Sequence, residues 1–259
     1  MPNFGLYRTQ DLQRLSAIRE DAIKSNSYAL FAQSNILLSN ALTLSIGGRY
    51  DYMDVDVDSN LEANSGSKND ALFSLKAALK YTINEQLTAF ANLGQGFHSN
   101  DARGATISID PVSGDTTAPA PLLVKSLGYE AGFNYSDNKT FNVSASLWRL
   151  ELDSELVYVG DAGFTEASRP SERYGVEFSA YYWINHHLTA DIEAAWTNAR
   201  FSDSVDDEGT YIDGTVPAVL SAGATYYQQS DQLGLSYTLR ARYLSSRVVD
   251  SFDEVSPPA

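Results

Sequence analysis

The sequence predicts an all-β fold: an antiparallel, up-and-down β-barrel that spans a membrane. Three observations predict it. Polar and apolar residues alternate with period two through successive runs of about ten residues. The connections between runs alternate between short turns and long polar loops. Aromatic residues, 16 of them Tyr, gather at the ends of the runs.

The runs follow in order. A truncated first strand is expected near 3–9. Residues 11–24 break the alternation; Leu12, Leu15 and Ile18 suit a short helix, and the segment reads as a loop insertion. Weaker strands fall at 28–38, 87–97, 140–152 and 217–228. In 42–52, Leu42, Leu44, Ile46, Tyr50 and Tyr52 oppose Thr43, Ser45, Arg49 and Asp51. In 73–81, Phe73, Leu75, Leu79 and Tyr81 oppose Ser74, Lys76 and Lys80. The same two-faced pattern marks 126–135, 173–182, 188–197 and 233–243. In 140–152 the apolar frame shifts at Leu147–Trp148, which predicts a bulge. Short turns are expected at 39–41, 82–86, 136–139, 185–187 and 229–232, and long loops at 58–70, 98–125, 153–171 and 201–216. Antiparallel neighbours joined this way place all turns at one end and all loops at the other.

Composition removes several functions. The 259 residues carry a formal net charge of −15, against the basic stripe that a nucleic-acid partner requires. Cysteine is absent, which excludes disulfide scaffolds, thiolate metal sites and cysteine nucleophiles. Three histidines, two adjacent at His186 and His187, argue against a histidine-rich metal centre. No apolar run is long enough for a transmembrane helix, and the N-terminus does not read as a signal peptide.

A soluble sandwich also turns one apolar face inward, so alternation alone does not choose the solvent. Strand length does: soluble strands average about 5–6 residues, whereas about 10 tilted residues match the apolar band of a membrane barrel. Aromatic placement agrees. Tyr81, Tyr135, Tyr182 and Tyr227 precede short turns, while Tyr50, Tyr52, Trp196 and Tyr243 lie toward the long loops, two girdles on the expected lipid face. The opposite face carries Arg49, Lys76, Lys80, Glu130, Glu177, Asp191, Glu193, Arg240 and Arg242, suited to a wet lumen.

Several segments then resemble one family in order: 29–35 (ALFAQSN), 42–51 (LTLSIGGRYD), 87–97 (LTAFANLGQGF), 126–135 (SLGYEAGFNY), 147–158 (LWRLELDSELVY), 173–182 (RYGVEFSAYY), 216–226 (VPAVLSAGATY) and 239–247 (LRARYLSSR). They are similar to the barrel domain of TonB-dependent outer-membrane receptors of Gram-negative bacteria. The resemblance implies a barrel around an N-terminal plug, non-enzymatic uptake of an iron–siderophore or similar nutrient, outer-membrane lipid as surroundings, and energy coupling to the TonB complex through the plug region. Residues 1–259 read as a single slice of that barrel with about 10–11 strands, short periplasmic turns and long extracellular loops, without plug, signal peptide or C-terminal strands. A passive porin-like channel and a soluble β-sandwich binding module are the competing functions.

Other motifs are weaker than their bland readings. Asp54, Asp56 and Asp58 imitate a calcium loop, but Ser59 and Ser65 stand where Gly and Glu are needed. Gly94-Gln95-Gly96 lacks the third glycine of a dinucleotide fingerprint. His98, Ser99 and Asp101 complete no triad, so no catalytic residue, metal site or cofactor is expected. On the long-loop side, His98, Arg103 and Arg169 are the candidate contacts for an anionic metal chelate.

Overall fold

A computed structural model describes residues 3–137, 139–159, 163–205, 208–229 and 234–252. The strands are β1 (Asn3–Gln10), β2 (Gln13–Leu37), β3 (Leu42–Ser59), β4 (Gly66–Thr82), β5 (Leu87–Ser99), β6 (Leu123–Ser136), β7 (Phe141–Leu152), β8 (Leu156–Val159), β9 (Phe164–Ala167), β10 (Ser171–Asn185), β11 (Leu188–Phe201), β12 (Ala218–Gln229) and β13 (Gly234–Leu244). One short helix, α1 (Ala102–Thr106), sits in the β5–β6 loop. Eleven strands form one antiparallel sheet in the order β1-β2-β3-β4-β5-β6-β7-β10-β11-β12-β13. β8 and β9 make a separate hairpin within the β7–β10 connection. No described helix is long and apolar enough to cross a membrane, a test that does not bear on strands.

The register repeats. Descending strands place Ile36, Tyr81, Tyr135, Tyr182 and Tyr226 opposite Leu44, Ala89, Val143, Ala190 and Tyr237 of the next ascending strand. Across each long connection, Leu42, Leu87, Phe141 and Leu188 pair with Tyr81, Tyr135, Tyr182 and Tyr226. The sheet therefore steps by two residues per hairpin, the stagger that tilts barrel strands. Side-chain amides and carboxylates set the short turns. Asn84 accepts from the backbone N–H of Gln86 and Leu87, Asp137 from Lys139, Thr140 and Phe141, and Asn185 from His187.

Three expectations change. Residues 11–24 are neither helix nor loop insertion: Asp11 and Leu12, at φ +50° and +63°, make a two-residue hairpin tip, and β2 zips along β1 from Gln13. Residues 140–152 hold no bulge; β7 pairs without a register shift on both sides. The apolar frame shifts there because Trp148, Leu150 and Leu152 are on the inner face, opposite Gly175, Arg173 and Ser171. On β12 the outward frame belongs to Tyr226, paired with Leu188 and Tyr237, so Tyr227 lies on the other face opposite Ser236. Adjacent aromatics differ by one residue, and one residue reverses the face. The turn expected at 229–232 falls largely outside the described residues.

Candidate functional site

The ladder assigns every side chain in the sheet to one of two surfaces. On the outer surface, Leu44 opposes Leu79, Ile46 opposes Ala77 and Tyr50 opposes Phe73. These groups are apolar yet open: Phe73 is 61% exposed and Leu239 79%. An aqueous surface of this kind and extent is unfavourable, whereas lipid solvates it. Its height is regular. Eight residues separate Leu42 from Tyr50, Tyr174 from Tyr182, Leu188 from Trp196 and Leu235 from Tyr243. Nine tilted residues, counted inclusively, reach about the length of a membrane-crossing strand. Tyr81, Tyr135 and Tyr182 stand at the short-turn end of this surface, and Tyr50, Tyr52, Trp196 and Tyr243 toward the loop end. Phe141 bridges Tyr135 and Tyr182 with ring centroids 6.4 and 5.9 Å away, and Tyr174 meets Trp196 at 6.0 Å.

The inner surface gathers the charges. Arg49, Lys76 and Lys80 lie on β3 and β4, Glu130 on β6, Glu177 on β10, Asp191 and Glu193 on β11, and Arg240 and Arg242 on β13. Several are cross-braced. Arg240 reaches Asp191 at 2.7 Å and the Ser221 hydroxyl at 3.2 Å. Asn92 donates to Glu130 at 2.9 Å, and Arg49 pairs with Asp51 at 2.8 Å. Glycine creates close fits on this wall. A Cβ at Gly175 would collide with the Trp148 ring and the Trp196 carbonyl oxygen, so Trp148 packs where only a bare backbone leaves room. A trough of about 400 Å³ runs between Glu130, Ser146, Glu177, Glu193 and Ser221. The wall thus offers hydrogen bonds and charges of both signs to a polar occupant.

At the loop end, the β5–β6 connection folds inward. Ala102 and Ala105 of α1, with Leu122, pack on Val55 and Val57 of β3 in a small dry core. Polar anchors fix the loop. Asn64, fully buried, accepts from the N–H groups of Ser108 and Ile109 and donates to the Ile109 carbonyl. Arg19, also fully buried, pairs with Asp21 and donates to the Arg103 carbonyl at 3.5 Å. Burial disfavours ionisation of Asp101, but the Arg103 side chain and backbone N–H donate to it, and its pKa is held below the usual carboxylate range.

The three ligand candidates take separate places. Arg103 is buried in that anchor, pairs with Asp101 and lies 3.7 Å over the Phe4 ring. Arg169 clamps the neighbouring loops: it pairs with Asp203 at 2.7 Å and Glu208 at 3.2 Å, and donates to the carbonyls of Asp203 and Gly209. His98 lies on the inner face opposite Val124, with its Nε2 buried and unpartnered. Sequence reading missed Arg19, Asp21 and Asn64. The first two stand two residues apart with opposite charge, which a strand reading of 13–24 would have placed on one face. Asn64 leaves no such signal.

Comparison with known proteins places this architecture. The family described as TonB dependent receptor-like, beta-barrel matches residues 3–257. The ferric yersiniabactin uptake receptor FyuA of Yersinia pestis superimposes with a TM-score of 0.73 at 13% identity, over 93% of this chain and 37% of that one. BauA, the ferric preacinetobactin receptor of Acinetobacter baumannii, gives 0.69 at 14%, over 97% and 36%. The copper transporter OprC gives 0.64 at 16%, over 89% and 36%. The chain therefore spans just over a third of the length of these receptors. With its lipid-facing surface, charged inner wall and alternating connections, the chain belongs to the TonB-dependent receptor β-barrel family of the Gram-negative outer membrane.

Proposed function

We propose that residues 1–259 form part of the wall of a receptor that takes up a metal chelate, such as an iron–siderophore, by energised transport. The observation that carries this reading is the inner surface: a wall charged with both signs, beneath a loop that folds onto the inner side of β3. Such a wall holds and guides a polar cargo, whereas the anchored loop obstructs free diffusion. The named relatives support the class of cargo, since each handles a metal or a metal complex. Energy would arrive through the TonB complex acting on a plug outside this chain. We assign Arg103 and Arg169 to loop placement, because carboxylates already engage both. His98, at the inner rim, is the candidate among the three for cargo contact.

The test is metal uptake in the native host. Deleting the gene that encodes this chain is expected to abolish accumulation of a radiolabelled ferric chelate, and a protonophore is expected to do the same in the parent strain. Uptake that needs the gene but survives the protonophore would replace the receptor with a passive porin-like channel.

A further inference from the structure

The outward surface is not even. Across β2 to β6 it is cut by a groove of about 700 Å³. Gly48 and Ala77 floor it, and Ile46, Leu75, Leu93 and Leu127 wall it. All six belong to the lipid-facing set of the ladder. The groove follows a row of that ladder, from Ala32 to Gly48 to Leu75 and on to Gln95 and Leu127. The row climbs, because the sheet steps by two residues per hairpin. Ala32 is four residues above Ile36, Gly48 six above Leu42 and Leu127 eight above Tyr135, the outward residues at the short-turn end. Eight residues also separate Leu42 from Tyr50, the two ends of the apolar surface. The groove therefore starts at mid-depth and ends at the outer boundary of the membrane. Four interstrand steps of about 4.8 Å give it a length of about 19 Å, the scale of an extended fatty acyl chain.

At its upper end the wall parts. β4 and β5 pair from Thr82 with Thr88 up to Lys76 with Gly94, and no further. The next N–H, that of Leu75, donates instead to the Gln95 side-chain oxygen at 3.1 Å. A cleft of about 240 Å³ opens there beside Ser74, Gly96 and Ser126, with Lys125, Glu151 and Asp153 at its mouth. Gln95 and Leu127 line both spaces, so groove and cleft are continuous. Lys125 and Asp153 are neighbours, since the Asp153 N–H donates to the Lys125 carbonyl at 3.0 Å. Both are exposed, and neither side chain has an ion-pair partner among the described residues. Glu151 is held by Arg149 at 3.0 Å, and Arg149 also reaches Glu172 at 2.8 Å. Two cations and three carboxylates leave this corner with a charge of −1.

We propose that groove and cleft together bind one zwitterionic phospholipid with a phosphoethanolamine headgroup. One acyl chain lies along the groove, and the second stays in the bilayer. Lys125 meets the phosphate, and Asp153 meets the ammonium. Lipid wets the whole outward surface; what distinguishes this place is a recess that rises to headgroup level and ends on two unpaired, opposite charges. A net-anionic headgroup gains one contact there and is opposed by the surplus carboxylate, whereas a zwitterion is matched on both charges. The proposal does not depend on which cargo the receptor carries.

The whole receptor that carries this segment is purified from membranes, stripped of lipid in detergent and followed by native mass spectrometry. Phosphatidylethanolamine, phosphatidylglycerol and lipid A are added separately. One retained phosphatidylethanolamine is expected, held at least about fivefold more tightly than phosphatidylglycerol, the scale of one charge near the interface. Ala77→Phe, which fills the groove, is expected to lose it. Ala222→Phe, the same change on the outward face of β12 opposite Ile192, is expected to keep it. Asp153→Lys turns the corner net positive and is expected to reverse the preference toward phosphatidylglycerol. The heat-shifted band on a gel confirms the fold of each variant. Equal retention of the three lipids by the unsubstituted receptor, a preference for lipid A, or equal retention by Ala77→Phe and Ala222→Phe would overturn the proposal.

Discussion

Strand β11 tests directly which face meets lipid. Leu188 and Trp196 bound its outward run, and Ile192 stands midway, 37% exposed. Four residues at about 3.3 Å, tilted by about 40°, put Ile192 roughly 10 Å from either rim. Arginine there has no route to water on the lipid side, and the expected cost is about 2–4 kcal/mol, falling to about 0–1 kcal/mol at the rims. One residue on, Glu193 faces the wall interior opposite Ser179 and Ser221. Glu193→Arg exchanges one solvated charge for another, and about 0.5 kcal/mol or less is expected. The gap between Ile192→Arg and Glu193→Arg is thus roughly 10-fold or more in the folding equilibrium. Denaturant unfolding of each variant in lipid vesicles, followed by Trp fluorescence and by the heat-shifted band on a gel, measures it. Equal costs at both positions would refute a lipid-facing surface, because both faces would then see one solvent.

Four further outcomes follow from the mouth, the turns and the wall. Arg19→Ala removes the cation buried beside Asp21 and should destabilise the loop anchor by about 3–5 kcal/mol, read as faster hydrogen exchange at the Ala105 amide. Asn64→Ala leaves the amides of Ser108 and Ile109 without their acceptor, at about 1–3 kcal/mol, and limited proteolysis at 108–118 should quicken; unchanged cleavage would dismiss Asn64 as an anchor. Asp137, held down to about 2 by N–H donors from Phe141, Thr140 and Lys139, is ionised in the folded turn. A lowered folded pKa gives stability that is complete above the unfolded value near 4 and lost as pH falls through about 2, so Asp137 titrating near 4 by NMR would contradict the turn geometry. Gly175→Ala must displace Trp148 or the β11 backbone and should lower stability and shift Trp fluorescence, whereas Gly66→Ala, in open space, should not strain the wall.

Much of the fold was legible because lipid imposes strict alternation on a strand. The apolar runs located β5 through β7 and β10 through β13 to within a few residues, found β3 and β4 but stopped seven residues short at their loop ends, and the connections gave the order. The ends were less legible. β2 runs for 25 residues and β3 for 18, well beyond the apolar run, because their outer segments are solvated on both sides or on the outer side only. Polar alternation carries no hydrophobic signal, so Gln13–Lys24 resembled a helix. The site was less legible still. Arg103 and Arg169 are loop arginines of the kind that meets an anion, yet their partners are carboxylates 2 and 34 positions away in sequence. Nothing local announces the second of these pairings.

The misread frame at Leu147–Trp148 has a physical cause that recurs on β3. Within the band, β3 turns Leu44, Ile46 and Tyr50 outward to lipid and Arg49 inward. Beyond Tyr52 the dry side changes: Val55 and Val57, 1% and 2% exposed, face inward onto α1, and Asp54, Asp56 and Asp58 take the outer side, where Asp54 accepts from Asn26 and Asp56 from Ser67. The calcium-like aspartates are therefore the solvated outer face of a strand end above the membrane. On β7 the same exchange occurs one residue after Leu147: Trp148 and Leu150 turn inward, while Arg149 and Glu151 stand outside beside Glu172. Arg149 lies level with Tyr129 and Tyr174, aromatic positions at the loop end of the apolar surface. The strand itself continues without a bulge; what changes is the medium on each side. Below the boundary lipid makes the outer face apolar, and above it water covers the outer face while folded loops dry the inner one. A shift of apolar frame inside an unbroken ladder therefore marks the outer boundary of the membrane along the sequence.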